Sequence, residues 1–537
     1  MRRATLWSAA LMGSLTTPGQ SQRACEELRG LALSQATVTA VATIPAGQFK
    51  APPPAPASPL DLPSYCRVEG VARPTSDSEI KFEVWLPLAP AWNGRFQQIG
   101  NGGYAGSIAA VALASGAARG YATAATDNGH VGPTPDFAIG HPEKVVDFGH
   151  RAVHLTAVHA KAIVQAFYGK PASHSYFFGC SDGGREALME AQRYPADFDG
   201  IIAGAPASDW TRLMTGGVWN WRALNETPAS MIPVAKLAAI QAAAVGQCDS
   251  VDGVQDGLIE DPRRCQFRPA VLRCTGADGP GCLTEAQIAA LEKIYQGPRS
   301  PSSGQQIFPG MVPGTEAFPG NWNPWMVGQS PTGLPLLPWF GTTFYSRMVY
   351  EDLKWDYQTF DLDRDLATAV AKLSGILDSR DPNLAPFRDR GGKLIQYHGW
   401  GDAAISAQSS IDYHHRVKQT LAPSGKPVDD FYRLFMVPGM GHCAGGAGPN
   451  NFGNGFGTDA QGDASRDLRT AIERWVEQGV APERFIATGI RSGDPVGDPA
   501  KETKITRPLC AYPKTARYNG SGSTDDAANF SCSEARP

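Results

Sequence analysis

The sequence predicts an α/β architecture in which a mostly parallel sheet carries helices on both faces and a large lobe is inserted into it. Three observations lead there. Strand-like and helix-like segments alternate from Ile80 to Ala203, the alternation breaks down between about Ser208 and Asp381, and it returns from Lys393 to Gln478. Alternation of this kind places parallel strands beneath crossover helices, so the two regular stretches form one sheet.

The elements follow in chain order. The start, Met1-Arg2-Arg3, an apolar stretch to Leu15 and polar Pro18-Gly19-Gln20-Ser21, reads as a signal peptide over residues 1–22. A Pro- and Ala-rich stretch runs from Ala51 to Pro63. The first core segment, 23–207, has strands at Ile80–Leu86, Arg95–Ile99 and Tyr121–Ala125, with a helix over Ser107–Arg119 between the last two. Phe148–Phe167 carries apolar residues at helical spacing, Ser175–Phe178 is a short buried strand, and Gly200–Ala203 is the next. The insertion, 208–381, is rich in Pro and Gly and holds seven of the 12 tryptophans: Trp210, Trp219, Trp221, Trp322, Trp325, Trp339 and Trp355. It reads as a lid that presents aromatic surface. The second core segment, 382–537, has strands at Lys393–Tyr397 and Tyr432–Val437 and helices at Ala407–Gln419 and Ser465–Gln478.

Bulk properties exclude several functions. With 537 residues, 42% of them hydrophobic and 19% charged, the chain can bury a substantial core and a second lobe. A net charge of −4 with Lys and Arg scattered along the chain argues against nucleic acid as a partner. No segment after the leader has the ~18 unbroken apolar residues of a membrane span, so a soluble mature protein without a membrane partner is expected. Ten cysteines in an exported chain suggest five disulfides. None forms a C-x-x-C pair, which removes the main support for a zinc or thioredoxin-like site. Cys248 with Cys265 and Cys274 with Cys282 are natural local closures; sequence leaves the rest of the pairing open.

Gly179-Cys180-Ser181-Asp182-Gly183 fits G-x-S-x-G, with a strand before it and a helical segment, Gly184 to Met189, after it. That is the strand-turn-helix setting of a nucleophile elbow, and it specifies the α/β-hydrolase version of the fold. Small residues are needed because the turn strains the serine backbone, and the helix start aims its N–H groups at a developing oxyanion. A serine hydroxyl needs a base, and in this fold the partners follow in the order Ser, Asp or Glu, His. His442, in the loop Pro438-Gly439-Met440-Gly441-His442-Cys443, follows a strand, whereas His414 and His415 fall in a helical pattern and are expected on its surface. Asp402, in Tyr397-His398-Gly399-Trp400-Gly401-Asp402, also lies just past a strand; Asp429 and Asp430 precede theirs.

Cys180 adjoins the serine and Cys443 the histidine, so a bridge between them would tie the two loops together. The competing assignment makes Cys180 the nucleophile, which a serine at the elbow centre and an oxidising compartment disfavour. The glycines of Gly100-Asn101-Gly102-Gly103 would let a second oxyanion amide approach. Asp249, Asp252 and Asp256, in a loop with Gly253 and Gly257, offer a hard cation oxygen ligands, although a solvated acidic turn has the same composition.

Together Gly179 to Glu186, Tyr397 to Asp402, Val437 to Cys443 and Arg507-Pro508-Leu509-Cys510 make the chain resemble the tannase and feruloyl esterase family, from about Cys25 to Cys532. The resemblance implies an α/β-hydrolase core with a lid, and a secreted or periplasmic serine carboxylesterase acting on small esters of aromatic acids without an organic cofactor. It implies oxyanion amides at Gly103 and Asp182. It also implies a structural Ca2+ in the lid, held by Asp249, Asp252, Asp256 and the backbone oxygens of Val254 and Leu258. The implied bridges are Cys25–Cys66, Cys180–Cys443, Cys248–Cys265, Cys274–Cys282 and Cys510–Cys532.

Feruloyl or other hydroxycinnamoyl esters are the expected substrates, with galloyl esters and terephthalate monoesters as alternatives. The family's terephthalate monoester hydrolase has Phe where this chain has Ile405, and Arg347 is a substitute for its carboxylate-gripping arginine by position only. A serine peptidase or a non-catalytic binding protein on the same fold are the readings from other classes. The sequence leaves the oligomeric state open.

Overall fold

The computed structural model describes residues 22–51, 60–329, 333–455, 457, 460–492 and 502–534. Except for Gln22, the predicted signal peptide lies outside them. Nine strands form one sheet: β1 Ala36–Ile44, β2 Tyr65–Ala72, β3 Ile80–Pro87, β4 Phe96–Ile99, β5 Ala122–Thr126, β6 Ser175–Cys180, β7 Gly200–Gly204, β8 Lys393–Gly399 and β9 Tyr432–Val437, in the spatial order β1-β2-β3-β5-β4-β6-β7-β8-β9. From β5 through β9 every pairing is parallel, while β1, β2 and β3 pair antiparallel and β3 runs antiparallel to β5. This is the α/β-hydrolase architecture the alternation predicts, with an antiparallel wing added at one edge.

The central strands are buried from end to end, as a sheet covered on both faces requires. One face packs against the helices Ala152–Tyr168, Asp182–Arg193 and Gln408–Leu421, the other against Ala110–Ala118 and Leu468–Gln478. The helix Ala152–Tyr168 shows how sequence dictates this. Val153, Ala157, Ala160, Val164 and Phe167 recur at three- and four-residue steps, are buried on the sheet, and the helix stops at Gly169 with φ +71°. The same rule corrects one expectation. His414 is 1% exposed, because it lies three residues from both Ile411 and Val417 on the inner stripe of its helix, edge-on to Tyr432 and Tyr512.

The described residues of 205–392 contribute no strand to the sheet and build a core of their own, with Trp210, Trp322, Leu337, Phe344 and Tyr345 inside. This second core closes onto the main domain through Tyr104, Phe148 and Ala403 to Ile405. The apolar stretch Pro228–Asp252 is long and apolar enough to cross a membrane, but Leu237, Ile240 and Ala244 are buried in the lobe and Lys236 and Asp249 interrupt it. Beyond β9, strands β10 Arg484–Ser492 and β11 Glu502–Cys510, then β12 Lys514–Tyr518 and β13 Phe530–Glu534, form two antiparallel ribbons. Disulfides join Cys25 to Cys66, Cys180 to Cys443, Cys248 to Cys265, Cys274 to Cys282 and Cys510 to Cys532.

Candidate active site

Four loops meet past the C-terminal ends of parallel strands, where α/β sheets gather their sites: after β4, β6, β8 and β9. Ser181 follows β6 at the tip of the elbow, with φ +66° and ψ −121°. Such a backbone survives only where its surroundings over-determine it, and here the glycines do so. A Cβ on Gly179 would meet the Gly183 carbonyl carbon and oxygen within 2.5 Å, and one on Gly183 would lie 2.7 Å from the Asn101 oxygen.

His442 Nε2 lies 2.9 Å from Ser181 Oγ, and His442 Nδ1 lies 2.8 Å from Asp402 Oδ2. Asp402 is buried, and its Oδ1 accepts from the backbone N–H groups of Ala404 and Ile405. Burial alone would raise the Asp402 carboxyl. The charge of His442 and the hydrogen bonds from His398 and His442 outweigh it and hold the group well below the usual carboxylate range. The disulfide between Cys180 and Cys443 joins the elbow to the histidine loop beside this chain of contacts. Cys180 is therefore no free thiol.

Gly103 has φ +59°, which glycine adopts without strain. Among the described residues, no acceptor takes the amide of Gly103 or of Asp182. The second amide belongs to the first residue of the helix Asp182–Arg193, where N–H groups point out unpaired. The lid forms the opposite wall. The Trp325 ring stands edge-on to His442 with centroids 5.0 Å apart, Phe340 stacks beyond it at 6.3 Å, and Tyr104 donates from Oη to the Phe340 carbonyl over 3.1 Å.

The two weaker substrate candidates are each already engaged. Ile405 is 3% exposed, with its side chain in the lid core and its backbone N–H on Asp402. Arg347 pairs with Asp136 and donates to Ser346 Oγ, so its guanidinium already has a carboxylate. In the acidic loop, Asp249 accepts from the backbone of Gly257 and Asp256 is gripped by Arg507, whereas Asp252 Oδ2 is buried without a hydrogen-bond partner. Sequence reasoning missed His398, whose Nε2 lies 3.2 Å from Asp402 Oδ2 and whose Nδ1 lies 2.7 Å from Ser410 Oγ. Its spacing of four residues before Asp402, at the end of β8, was the available signal.

The fold and this cluster define an α/β-hydrolase. A profile of the family described as tannase and feruloyl esterase matches residues 66–533, and the chain belongs to that family. An uncharacterized esterase of Xanthomonas campestris pv. campestris is 42% identical over 99% of this chain and 94% of its own length. A probable feruloyl esterase B-2 of Aspergillus terreus is 34% identical over 87% of this chain and 86% of its own. The crystal structure of feruloyl esterase B from Aspergillus oryzae superposes with TM-score 0.84 at 32% identity, covering 95% of this chain and 99% of that one. Tannin acyl hydrolase from Aspergillus niger, 22% identical, shares the fold with TM-score 0.73 over 94% and 92% of the two chains. The protein is a carboxylic ester hydrolase, and its substrates are small esters.

Proposed function

We propose that the protein is an exported serine carboxylesterase that hydrolyses esters of aromatic acids, hydroxycinnamoyl esters foremost, through an acyl-enzyme on Ser181. The observation that carries this reading is the unbroken series Ser181, His442, Asp402 at 2.9 and 2.8 Å beneath an aromatic wall. His442 takes the proton of Ser181 Oγ as the oxygen attacks the ester carbonyl, and the amides of Gly103 and Asp182 receive the resulting oxyanion. Collapse of the tetrahedral intermediate breaks the ester C–O bond, the alcohol leaving with the proton from His442. Water, giving its proton to His442, then attacks the acyl carbon; Ser181 leaves, recovers the proton, and the acid is released. Trp325 and Phe340 offer faces and edges on which a flat acyl ring packs.

The relatives named feruloyl esterase favour a hydroxycinnamoyl acyl group. Against a terephthalate monoester stands Arg347, since binding a substrate carboxylate there means giving up Asp136. Turnover of methyl ferulate, methyl gallate, a terephthalate monoester and a peptide anilide under one set of conditions tests the assignment. Methyl ferulate is expected to show the highest kcat/KM by at least about tenfold, the span that one misfitted group in a pocket produces. A higher value for either of the other esters replaces the acyl group, and a higher value for the anilide overturns the esterase reading. Export, secreted or periplasmic, is supported by the five disulfides, and N-terminal sequencing of protein recovered outside the cytoplasm tests cleavage after about residue 22.

The loop 248–258 is proposed to hold a structural Ca2+. Three carboxylates, Asp249, Asp252 and Asp256, with the Val254 and Leu258 carbonyls form an all-oxygen set, and the unpartnered, buried Asp252 Oδ2 is the atom that fits a cation. Bound there, the ion would supply charge neutralisation and tie the lid loop down, with no part in the chemistry. Calorimetric titration of EDTA-treated protein is expected to show one Ca2+ site, lost in Asp252→Ala, and the metal to raise Tm by several degrees. No heat of Ca2+ binding to the EDTA-treated parent protein would remove the metal.

A further inference from the structure

The elbow helix carries a second acid that the reaction scheme leaves idle. Glu186 is 1% exposed and lies one turn beyond Asp182. Its Oε2 accepts from the backbone N–H of Asn101 at 2.9 Å and its Oε1 from Asn128 Nδ2 at 2.8 Å. Asn101 answers from the other side: its carbonyl accepts from Gly183 N–H at 2.8 Å, and its side-chain amide donates to the Thr126 carbonyl at 2.9 Å. The fit is tight, since a Cβ on Gly100 would lie 2.8 Å from Glu186 Oε2 and 2.7 Å from the Gly183 Cα. The loop that carries Gly103 and the helix that carries the Asp182 amide are thereby clamped to each other through one carboxyl group.

We propose that Glu186 is a positioning residue that registers the two oxyanion amides against each other, and that it works in its neutral form, as the proton-carrying partner of Asp182. This rests on the reading of Ser181 as nucleophile and of the Gly103 and Asp182 amides as the oxyanion donors.

The charge count supports the neutral form. On the same helix, Arg185 gives its Nε–H to Asp182 Oδ1 at 2.5 Å and its Nη donors to the Gly149, Phe148 and Leu377 carbonyls, so one cation faces two buried carboxyls. His130, across from Asp182 on the loop after β5, is kept neutral by burial, and Glu190 one turn further along adds no positive charge. Two buried acceptors beside Glu186, Asp182 Oδ2 and Asn128 Oδ1, have no donor, and a proton on Glu186 gives one of them a partner. Burial, then the neighbouring Asp182 charge, push the Glu186 carboxyl up to about 8. Losing that proton puts an unpaired negative charge beside the helix start that receives the oxyanion, which opposes the reaction.

Steady-state kinetics against pH of the wild type, Glu186→Gln and Glu186→Ala test this. With its oxygen on the Asn101 N–H, Gln sets an NH2 in the place of Oε1, where Asn128 turns its amide to accept through Oδ1, so at pH 7 it is expected to retain kcat within about threefold. Ala frees the loop and is expected to lose about 10- to 100-fold in kcat with KM within about threefold, the scale of a misplaced oxyanion donor. Wild-type kcat is expected to fall above about pH 8, and Gln, which has no proton to lose, to stay flat there. Equal kcat in Ala and wild type, equal losses in Gln and Ala, or the same alkaline fall in Gln and wild type each overturn the proposal. Should the Ala chain not fold, the comparison of Gln with wild type decides alone. Turnover surviving Ser181→Ala would instead sink the serine reading beneath it, so the two failures are distinct.

Discussion

Replacing Ser181 with Ala is expected to lower kcat by about 10^6 while leaving the fold and KM close to those of the parent chain. The magnitude is that of removing the nucleophile from a serine hydrolase whose three residues act as a unit. The geometry explains why so little activity should remain. Among the described residues His442 Nε2, 2.9 Å from Ser181 Oγ, bonds no second hydroxyl, and the adjacent sulfur, that of Cys180, is bonded to Cys443. What survives should be the part supplied by binding and by the oxyanion amides, about 10^3 to 10^4 over water in enzymes of this kind. The substitution removes one oxygen atom from a half-buried elbow, so Tm should hardly move. Progress curves for methyl ferulate with parent and variant at matched, high enzyme concentration read the loss directly. A variant turning over within tenfold of the parent would place the nucleophile elsewhere.

Local sequence brings out Ser181, Asp402 and His442, the groups proposed to react, because each sits where a short motif is forced. Ser181 needs glycines at 179 and 183 to let backbone approach backbone, and Asp402 and His442 each follow a hydrophobic strand that marks the active edge of the sheet. The parallel strands were legible for the same reason, as short apolar runs between helices. The lid's tryptophans were visible as composition, yet nothing local distinguishes Trp325, which faces His442, from Trp322, which is buried in the lobe's core.

Groups that act through contacts between distant segments gave no such mark. Glu186 looks like a surface residue of an amphipathic helix until Asn101 and Asn128, 85 and 58 residues earlier, close over it. His414 is a different case: its spacing from Ile411 and Val417 already puts it on the inner stripe of its helix, and only its polar residue type suggested a surface position. The antiparallel wing escaped because β1 and β2 flank a Pro-rich stretch whose punctuation hides that they pair. For Glu186 and for the wing the deciding partner is remote in the chain, where periodicity carries no information.

Asp402→Asn should cost about 10^4 in kcat, the loss expected when the orienting acid becomes an amide. The hydrogen-bond pattern dictates which way the amide turns. Asp402 Oδ1 accepts from two backbone N–H groups, those of Ala404 and Ile405, so an NH2 cannot stand there and the amide oxygen must. The NH2 then takes the place of Oδ2, facing His442 Nδ1 and His398 Nε2. A donor at that point makes His442 Nδ1 the acceptor and leaves the ring's proton on Nε2, aimed at Ser181 Oγ. The base then meets the serine with its lone pair already occupied, and deprotonation of the hydroxyl stalls although every atom keeps its place. His398 keeps its Nε2 proton on the Ile405 carbonyl, 3.1 Å away, and loses only its contact with residue 402, so the loop should stay folded. The expected signature is therefore a collapse of kcat with Tm and KM nearly preserved. Retention of kcat within tenfold would mean that His442 takes its orientation from some other acid.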